Sequence, residues 1–236
     1  MKIGTIIPVH NALSTFEKSL QSVLTQKLPV NTINHVFCVL NGNTCNDAEL
    51  YEKIINSDPR VTLLKQPIKG IVPALNMGLY KAIEFGANFI ARQDADDFWL
   101  PFKLEQQLSY FEDYPEVGVL GTAINLCDKH GNFLNTQKNP LSHEECLIWL
   151  KNSKNPIAHP SVMFRTELLY YVGGYEQLFP MAEDLHLWQK FSRVTRLANL
   201  PAVYVNYTAV HNPNYNSNSP IAATNVFNFL KEQKIG

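Results

Sequence analysis

Apolar and polar positions change period repeatedly along this chain, and the changes set out an alternating order of strands and helices. Lys2–Val9 reads as a strand, and Ser14–Leu24 as a helix with Phe16, Leu20, Val23 and Leu24 apolar. Ser14, with Glu17 three residues on, predicts the N-cap of that helix. His35–Leu40 is a second strand, closed by the turn Asn41-Gly42. Ala48–Ile55 reads as a helix and Val61–Lys65 as a strand. Pro73–Phe85 follows as a helix with Leu75, Leu79, Ala82 and Ile83 on one face, then Ala87–Ala91 as a period-2 strand. This βαβαβ beginning predicts a parallel sheet with right-handed crossovers, and such sheets bind ligands at the carboxyl ends of their strands. Pro8, Asn41 and Asp94 lie at those ends, so three loops distant in sequence are expected to converge on one crevice.

The second half is less regular. Leu104–Tyr114, Glu144–Leu150 and Glu183–Val194 read as helices, the last with Leu185, Leu187, Trp188 and Phe191 apolar. Val117–Ile124, Ser161–Arg165 and Val203–Val210 read as strands, Gly131 marks a turn, and a helix runs from Arg165 to about Val172. Asn212–Ser219 is Asn/Ser-rich and reads as a mobile loop or lid. Pro220–Lys234 reads as an amphipathic helix carrying Ile221, Val226, Phe229 and Leu230. With no internal repeat and no clear linker, the expected organisation is a single α/β domain.

Composition acts mainly by exclusion. The chain has 236 residues, 45% hydrophobic and 17% charged, which suits one large domain. A net charge of -1 gives no electrostatic case for nucleic acid. No apolar run approaches the ~20 residues that span a bilayer. The start MKIGTIIPVHN lacks the long apolar region and cleavage site of a signal peptide. Cys38, Cys45, Cys127 and Cys146 show no CxxC spacing and are expected to be reduced thiols. These features together predict a cytoplasmic protein.

Chemistry concentrates at Asp94-Ala95-Asp96-Asp97, directly after the strand Ala87–Ala91. Like charges this close repel, and burying them uncompensated is costly. A hard divalent cation removes the conflict and keeps open positions for phosphate oxygens. The competing reading is a solvated loop tip, with Asp97 capping the segment that begins near Leu100. An EF-hand is disfavoured, because Phe98 and Trp99 stand where further oxygen ligands and a Gly are needed. A second acidic pair, Glu183-Asp184, opens a helix. It reads either as catalytic carboxylates or as first-turn acids favoured by the helix dipole.

In order along the chain, IIPVHN, SLQSVLTQ, GIVPALNMGLYKA, ARQDADDFWLPFKLEQQ, HPSVMFR, VGGY and AEDLHLW resemble family 2 glycosyltransferases with the GT-A fold, across roughly residues 3–211. The resemblance implies a Rossmann-like, mostly parallel central sheet with helices on both faces. It implies a nucleotide-diphosphate sugar donor (a UDP-sugar first), a divalent cation (Mn or Mg) at the Asp-x-Asp motif, and transfer with inversion. Residues 1–100 would form the donor part and 101–211 the acceptor part, followed by the loop and helix of 212–236. On the donor side it points to Pro8, Asn11, Asn41, Lys69, Asn76, Arg92, Asp94 and Ala95. Asp96 would be the main metal ligand, joined by Asp94 and His211. Asp184 would be the base, with Glu183 orienting it or touching the acceptor; His159, Gly174 and Tyr175 fall on the acceptor side.

Several of these residues have a plainer reading. Arg92 would serve as an ion-pair partner, Lys69 as a solvated charge, Asn76 as a helix-surface residue and Gly173-Gly174-Tyr175 as a structural turn. Two departures from the family pattern matter. The turn Leu40-Asn41-Gly42-Asn43 stands where similar enzymes carry a base-reading Asp, which weakens the case for uracil. Tyr207-Thr208 stands where many carry Tyr-Arg, so Lys138 or His211 would have to supply a missing cation. The expected acceptor is a glycan or lipid-linked saccharide of a bacterial surface polymer such as lipopolysaccharide or capsule. The last helix allows peripheral contact with the inner face of the membrane. Two alternatives stay open at this point: a Mg-dependent phosphotransferase using Asp94 as nucleophile, and a non-catalytic nucleotide-sugar-binding protein.

Overall fold

The computed structural model describes residues 1–42, 48–56, 58–179 and 181–209. Its first half runs β1 (Lys2–Val9), α1 (Leu13–Leu24), β2 (Ile33–Asn41), α2 (Ala48–Ile55), β3 (Val61–Gln66), α3 (Ile71–Glu84), β4 (Phe89–Arg92) and β5 (Phe98–Trp99). The second half runs α4 (Lys103–Asp113), β6 (Val117–Cys127), β7 (Phe133–Gln137), α5 (His143–Lys151), β8 (Met163–Arg165), α6 (Leu169–Val172), α7 (Glu183–Phe191) and β9 (Arg196–Thr208).

The described strands form one sheet in the order β3-β2-β1-β4-β8-β6-β9-β5, with β7 paired to β6. β3, β2, β1 and β4 are mutually parallel. β8 runs antiparallel to both β4 and β6, so β6 and its parallel neighbour β9 point the same way as the first block. The sheet is therefore mostly parallel, as expected, and the carboxyl ends of β1, β2, β4, β6 and β9 share one edge.

Apolar residues alternate between two cores, one on each face of the sheet. In β2, Val36, Cys38 and Leu40 face the core shared with α1 and α4, while Phe37 and Val39 face the core shared with α3 and α7. Burial on both faces explains why these strands are continuous apolar runs. α3 lies unusually close to β1: a Cβ on Gly78 would come within 2.5 Å of Ile6 Cγ2.

Some boundaries differ from the sequence pattern for identifiable reasons. Ser14 is not the N-cap of α1; the cap position is Ala12, with no side-chain cap. The helix start is held from outside instead, by Tyr51 accepting the Ala12 amide at 2.9 Å. α3 begins at Ile71, two residues before Pro73, because Pro is tolerated in a first turn. β9 begins at Arg196 rather than Val203. It passes Pro201 through a register shift against β6 between Thr122 and Ala123, which absorbs the missing amide. Cys38, Cys127 and Cys146 are free and buried. Among the described residues no helix is long and apolar enough to cross a membrane. His211, Asn212–Ser219, Pro220–Lys234 and Cys45 lie outside the described residues.

Candidate active site

The acid loop leaves β4 at Arg92 and is fastened by its own backbone. Ser19 Oγ donates to the Asp94 carbonyl at 2.7 Å, and Gln93 Nε2 to the Asp97 carbonyl at 2.7 Å. From β9, Thr208 Oγ1 donates to the Asp96 carbonyl at 2.6 Å, and the Thr208 amide to Asp97 Oδ1 at 2.7 Å. Asp97 is 1% exposed. The competing reading of Asp97 as a cap near Leu100 is not what it does: its carboxylate ties the loop to β9, and α4 begins only at Lys103.

The carboxyls of this loop carry the conflict their spacing implied. Burial, followed by the neighbouring Asp94 charge, pushes Asp96 up to about 6. The same causes, with Asp96 added, push Asp97 well above the carboxylate range. Asp97 Oδ2 is buried with no hydrogen-bond partner among the described residues. Asp94 pairs with the buried Arg92 guanidinium. Burial works against the Arg92 charge, but Asp94 outweighs it and holds Arg92 fully protonated. Among the described residues no three His, Cys, Asp or Glu side chains gather as a metal-holding group. The half-buried Asp96 carboxyl does fit a hard cation, which would relieve its desolvation and its repulsion by Asp94, the remaining ligands coming from outside this set.

The second acidic pair opens α7. Glu183 is 8% exposed, its Oε2 has no partner among the described residues, and burial followed by Asp184 pushes its pKa up to about 7. Asp184 accepts Asn155 Nδ2 at 2.6 Å and its Oδ1 accepts the Leu185 amide at 2.7 Å. Burial raises the Asp184 pKa, and these two hydrogen bonds oppose it. Arg92 favours the ionised form of Asp96, Asp97, Glu183 and Asp184 alike. One buried guanidinium thus serves two acid clusters ninety residues apart in the chain.

A cleft of about 880 Å³ brings Asp94 of the first cluster together with Glu183 and Asp184; Asp96 and Asp97 are not in its lining. Arg92, Asp94, His159, Glu183, Asp184 and Tyr207 line it, along with Gln137, Trp149 and the turn Asn152–Asn155. His159 Nε2 lies 2.8 Å from Tyr175 Oη. Burial, with Arg92 second, keeps its ring neutral.

Other expected residues are not in the lining of this cleft. Asn76 donates Nδ2 to the Tyr175 carbonyl and accepts the Tyr175 amide on Oδ1, both at 2.9 Å. Its amide therefore fixes the Gly174-Tyr175 turn, and a Cβ on Gly174 would stand 2.5 Å from Asn76 Oδ1. Asn41 Oδ1 accepts the Gly70 amide at 2.7 Å, joining the ends of β2 and the loop before α3. Pro8 is buried opposite Val39 in β2, and Ala95 is buried in the core. Lys69 and Asn11 are exposed, Asn11 with a positive φ of 49°. Sequence pattern missed Asn155, Ser19 and Thr208, which position the acids. Asn155-Pro156 is a turn signal that marks the first; the hydroxyls carry no local signature.

The sequence profile of glycosyl transferase family 2 matches residues 5–173. The amylovoran biosynthesis glycosyltransferase AmsE of Erwinia amylovora is 31% identical over 183 residues, 68% of each chain. The O-antigen biosynthesis glycosyltransferase WbnJ of Escherichia coli is 27% identical over 245 residues, spanning 99% of this chain and 91% of its own. In fold, the chain is similar to a mannosyltransferase of Pyrobaculum calidifontis solved in complex with GDP-Man and Mn2+. The TM-score is 0.71 at 21% identity, over 99% of this chain and 64% of that one. The mostly parallel sheet is thus of the GT-A kind, and the extent of the profile match makes this chain a member of glycosyltransferase family 2.

Proposed function

We propose that the protein is a metal-dependent, inverting glycosyltransferase. It moves a sugar from a nucleotide-diphosphate donor to a glycan or lipid-linked acceptor in surface-polysaccharide biosynthesis, at the cytoplasmic side of the membrane. The observation that carries this is the single cleft lined by both Arg92-Asp94 and Glu183-Asp184. The relatives named for amylovoran and O-antigen biosynthesis support the acceptor class.

In this reading residues 1–100 bind the donor and residues 101–211 the acceptor. Asp94, oriented by Arg92, meets the nucleoside or donor sugar. Asp96, with Asp94, holds a divalent cation (Mn or Mg) that supplies Lewis-acid stabilisation to the leaving diphosphate. Asp184 takes the proton of the attacking hydroxyl; Asn155 and the Leu185 amide favour its ionised form. Glu183, with its pKa near 7, retains its proton beside the Asp184 charge through the acid range. A UDP-sugar is the first donor to test; the Asn41-Gly42 turn leaves the base open, and the neighbour solved with GDP-Man makes a GDP-sugar the second. The phosphotransferase alternative falls with the family assignment, and Asp94 is already engaged by Arg92.

The test is incubation of the purified protein with UDP- and GDP-sugars in Mn2+ or Mg2+, reading nucleotide binding and release of the diphosphate. One donor should bind and hydrolyse slowly, with chelator abolishing both. Asp96→Ala should lose cation-dependent binding, and Asp184→Asn should bind donor but not transfer. A protein that binds no nucleotide sugar, or an Asp96→Ala variant that binds as before, overturns the corresponding assignment.

A further inference from the structure

One part of the cleft lining is built differently from the acid-bearing part. Trp149 comes from the last turn of α5, Asn152, Ser153, Lys154 and Asn155 from the turn after it, and Gln137 from the end of β7. Lys154 is the sole charge in this group. Asn155 joins the group to the reacting end of the cleft through its bond to Asp184.

The three tryptophans of the chain are not equivalent. Trp99 and Trp188 are buried and donate Nε1 to the Pro160 and Ile157 carbonyls at 3.0 and 3.2 Å. Both are satisfied core residues. Trp149 is half-buried and lines the cleft, and among the described residues its indole N–H has no partner. Core packing alone does not call for a tryptophan placed this way.

The neighbouring amides are oriented to match. Gln137 Nε2 donates to Asn139 Oδ1 at 3.0 Å, and Asn152 Nδ2 to the Ile148 carbonyl at 2.7 Å. Each amide nitrogen makes one intramolecular hydrogen bond, the Asn152 one at an exposed position, while the carbonyl oxygens have no partner among the described residues. The free oxygens accept from hydroxyls and each amide keeps a second N–H to donate, which matches a sugar hydroxyl, itself both donor and acceptor. An aromatic face beside hydroxyl-accepting amides is the chemistry that receives a sugar ring, C–H groups on the indole and hydroxyls on the amides.

We propose that Trp149, with Gln137 and Asn152, is the platform for the terminal sugar of the acceptor, and that this sugar is neutral: a hexose or N-acetylhexosamine presented to Asp184. The assignment rests on the transferase reading above for its meaning, but not for its test.

The probe is a set of methyl glycosides of glucose, galactose, mannose, N-acetylglucosamine and N-acetylgalactosamine, in both anomeric forms. Each is titrated into ¹⁵N-labelled protein with and without nucleotide sugar and Mn2+. Three indole N–H signals are expected, and Trp149→Phe assigns the one of interest. At least one glycoside should shift the Trp149 signal and leave those of Trp99 and Trp188 in place. Trp149→Ala should raise the acceptor KM about tenfold, equivalent to about 1.4 kcal/mol, with the donor KM unchanged; Trp149→Phe should recover most of the loss. No response of the Trp149 signal to any glycoside under either condition overturns the platform. So does a folded Trp149→Ala variant with an unchanged acceptor KM. Glycoside binding without nucleotide binding keeps the platform and removes the transferase reading; nucleotide binding without a glycoside response does the reverse.

Discussion

Asn155 donates to Asp184 Oδ2 at 2.6 Å while its own Oδ1 accepts the Ile157 amide at 3.2 Å. The side chain thereby fixes the Asp184 carboxyl to the turn after α5 and favours its ionised form. Asn155→Ala should lower the rate of transfer by up to about 100-fold through misplacement of the base. It should also move the acid limb of the pH profile to higher pH, because Asp184 then holds its proton more tightly. Rates across pH at saturating donor check this. An unmoved limb at an unchanged rate would separate Asn155 from catalysis.

Glu183 predicts a pH-dependent stability. Its folded pKa of about 7 lies above the ordinary 4.5, so the folded state binds the proton more tightly than the unfolded chain. The contribution is full below the unfolded value and is lost as pH rises through 7. Glu183→Gln removes that loss. The variant should melt above the wild type at pH 8, by about 2–4 °C for each kcal/mol regained, and level with it near pH 4. Thermal unfolding at the two pH values decides the matter; a wild-type advantage at pH 8 contradicts it.

Arg92 is 4% exposed and opposes protonation of both acid clusters. Arg92→Met strands those carboxylates without their cation. The expected cost is about 3–5 kcal/mol at neutral pH, smaller near pH 5 as the carboxyls take up protons. Urea unfolding at pH 7.5 and 5 measures it, and an equal loss at both values would assign the effect to packing.

Gly174 and Asn76 predict a coupling. A methyl group on Gly174 would overlap Asn76 Oδ1, which the Tyr175 amide already occupies. Gly174→Ala should cost about 1–3 kcal/mol. In the background of Asn76→Ala, which vacates the space, the same change should cost less. A double-mutant cycle by denaturant unfolding reads the difference, and strict additivity would refute it.

What the sequence made legible follows from distance along the chain. β1, β2 and β4 were readable because strands buried on both faces are apolar throughout. The two acid clusters, one of three carboxylates and one of two, were readable because their members lie within four residues of each other. Phe98–Trp99 forms β5 with only two residues, too few to show a period, and exists because β9 pairs with it. Phe133–Gln137 is largely exposed and offers no apolar alternation. The contacts that shape the site join Asn155 to Asp184, Asn76 to Tyr175 and Asp97 to Thr208. None lies within one element, so no local pattern encodes them. For the same reason the role of Asp97 stayed open, a cap being one reading, when its partner waits on another strand.

The antiparallel strand β8 carries a consequence for how the chain is made. Phe89 of β4 pairs with Arg165 of β8, and only through β8 does β4 connect to β6 and β9. On the ribosome, β1 to β4 can assemble once β4 has emerged, because every strand of that block precedes β8. That intermediate ends in the bare backbone of β4, an unpaired edge open to other chains. β8 is a three-residue clasp that arrives more than seventy residues later and closes it. Substitutions in Met163–Arg165 should therefore reveal themselves first as lost yield during synthesis, before any defect in the finished fold.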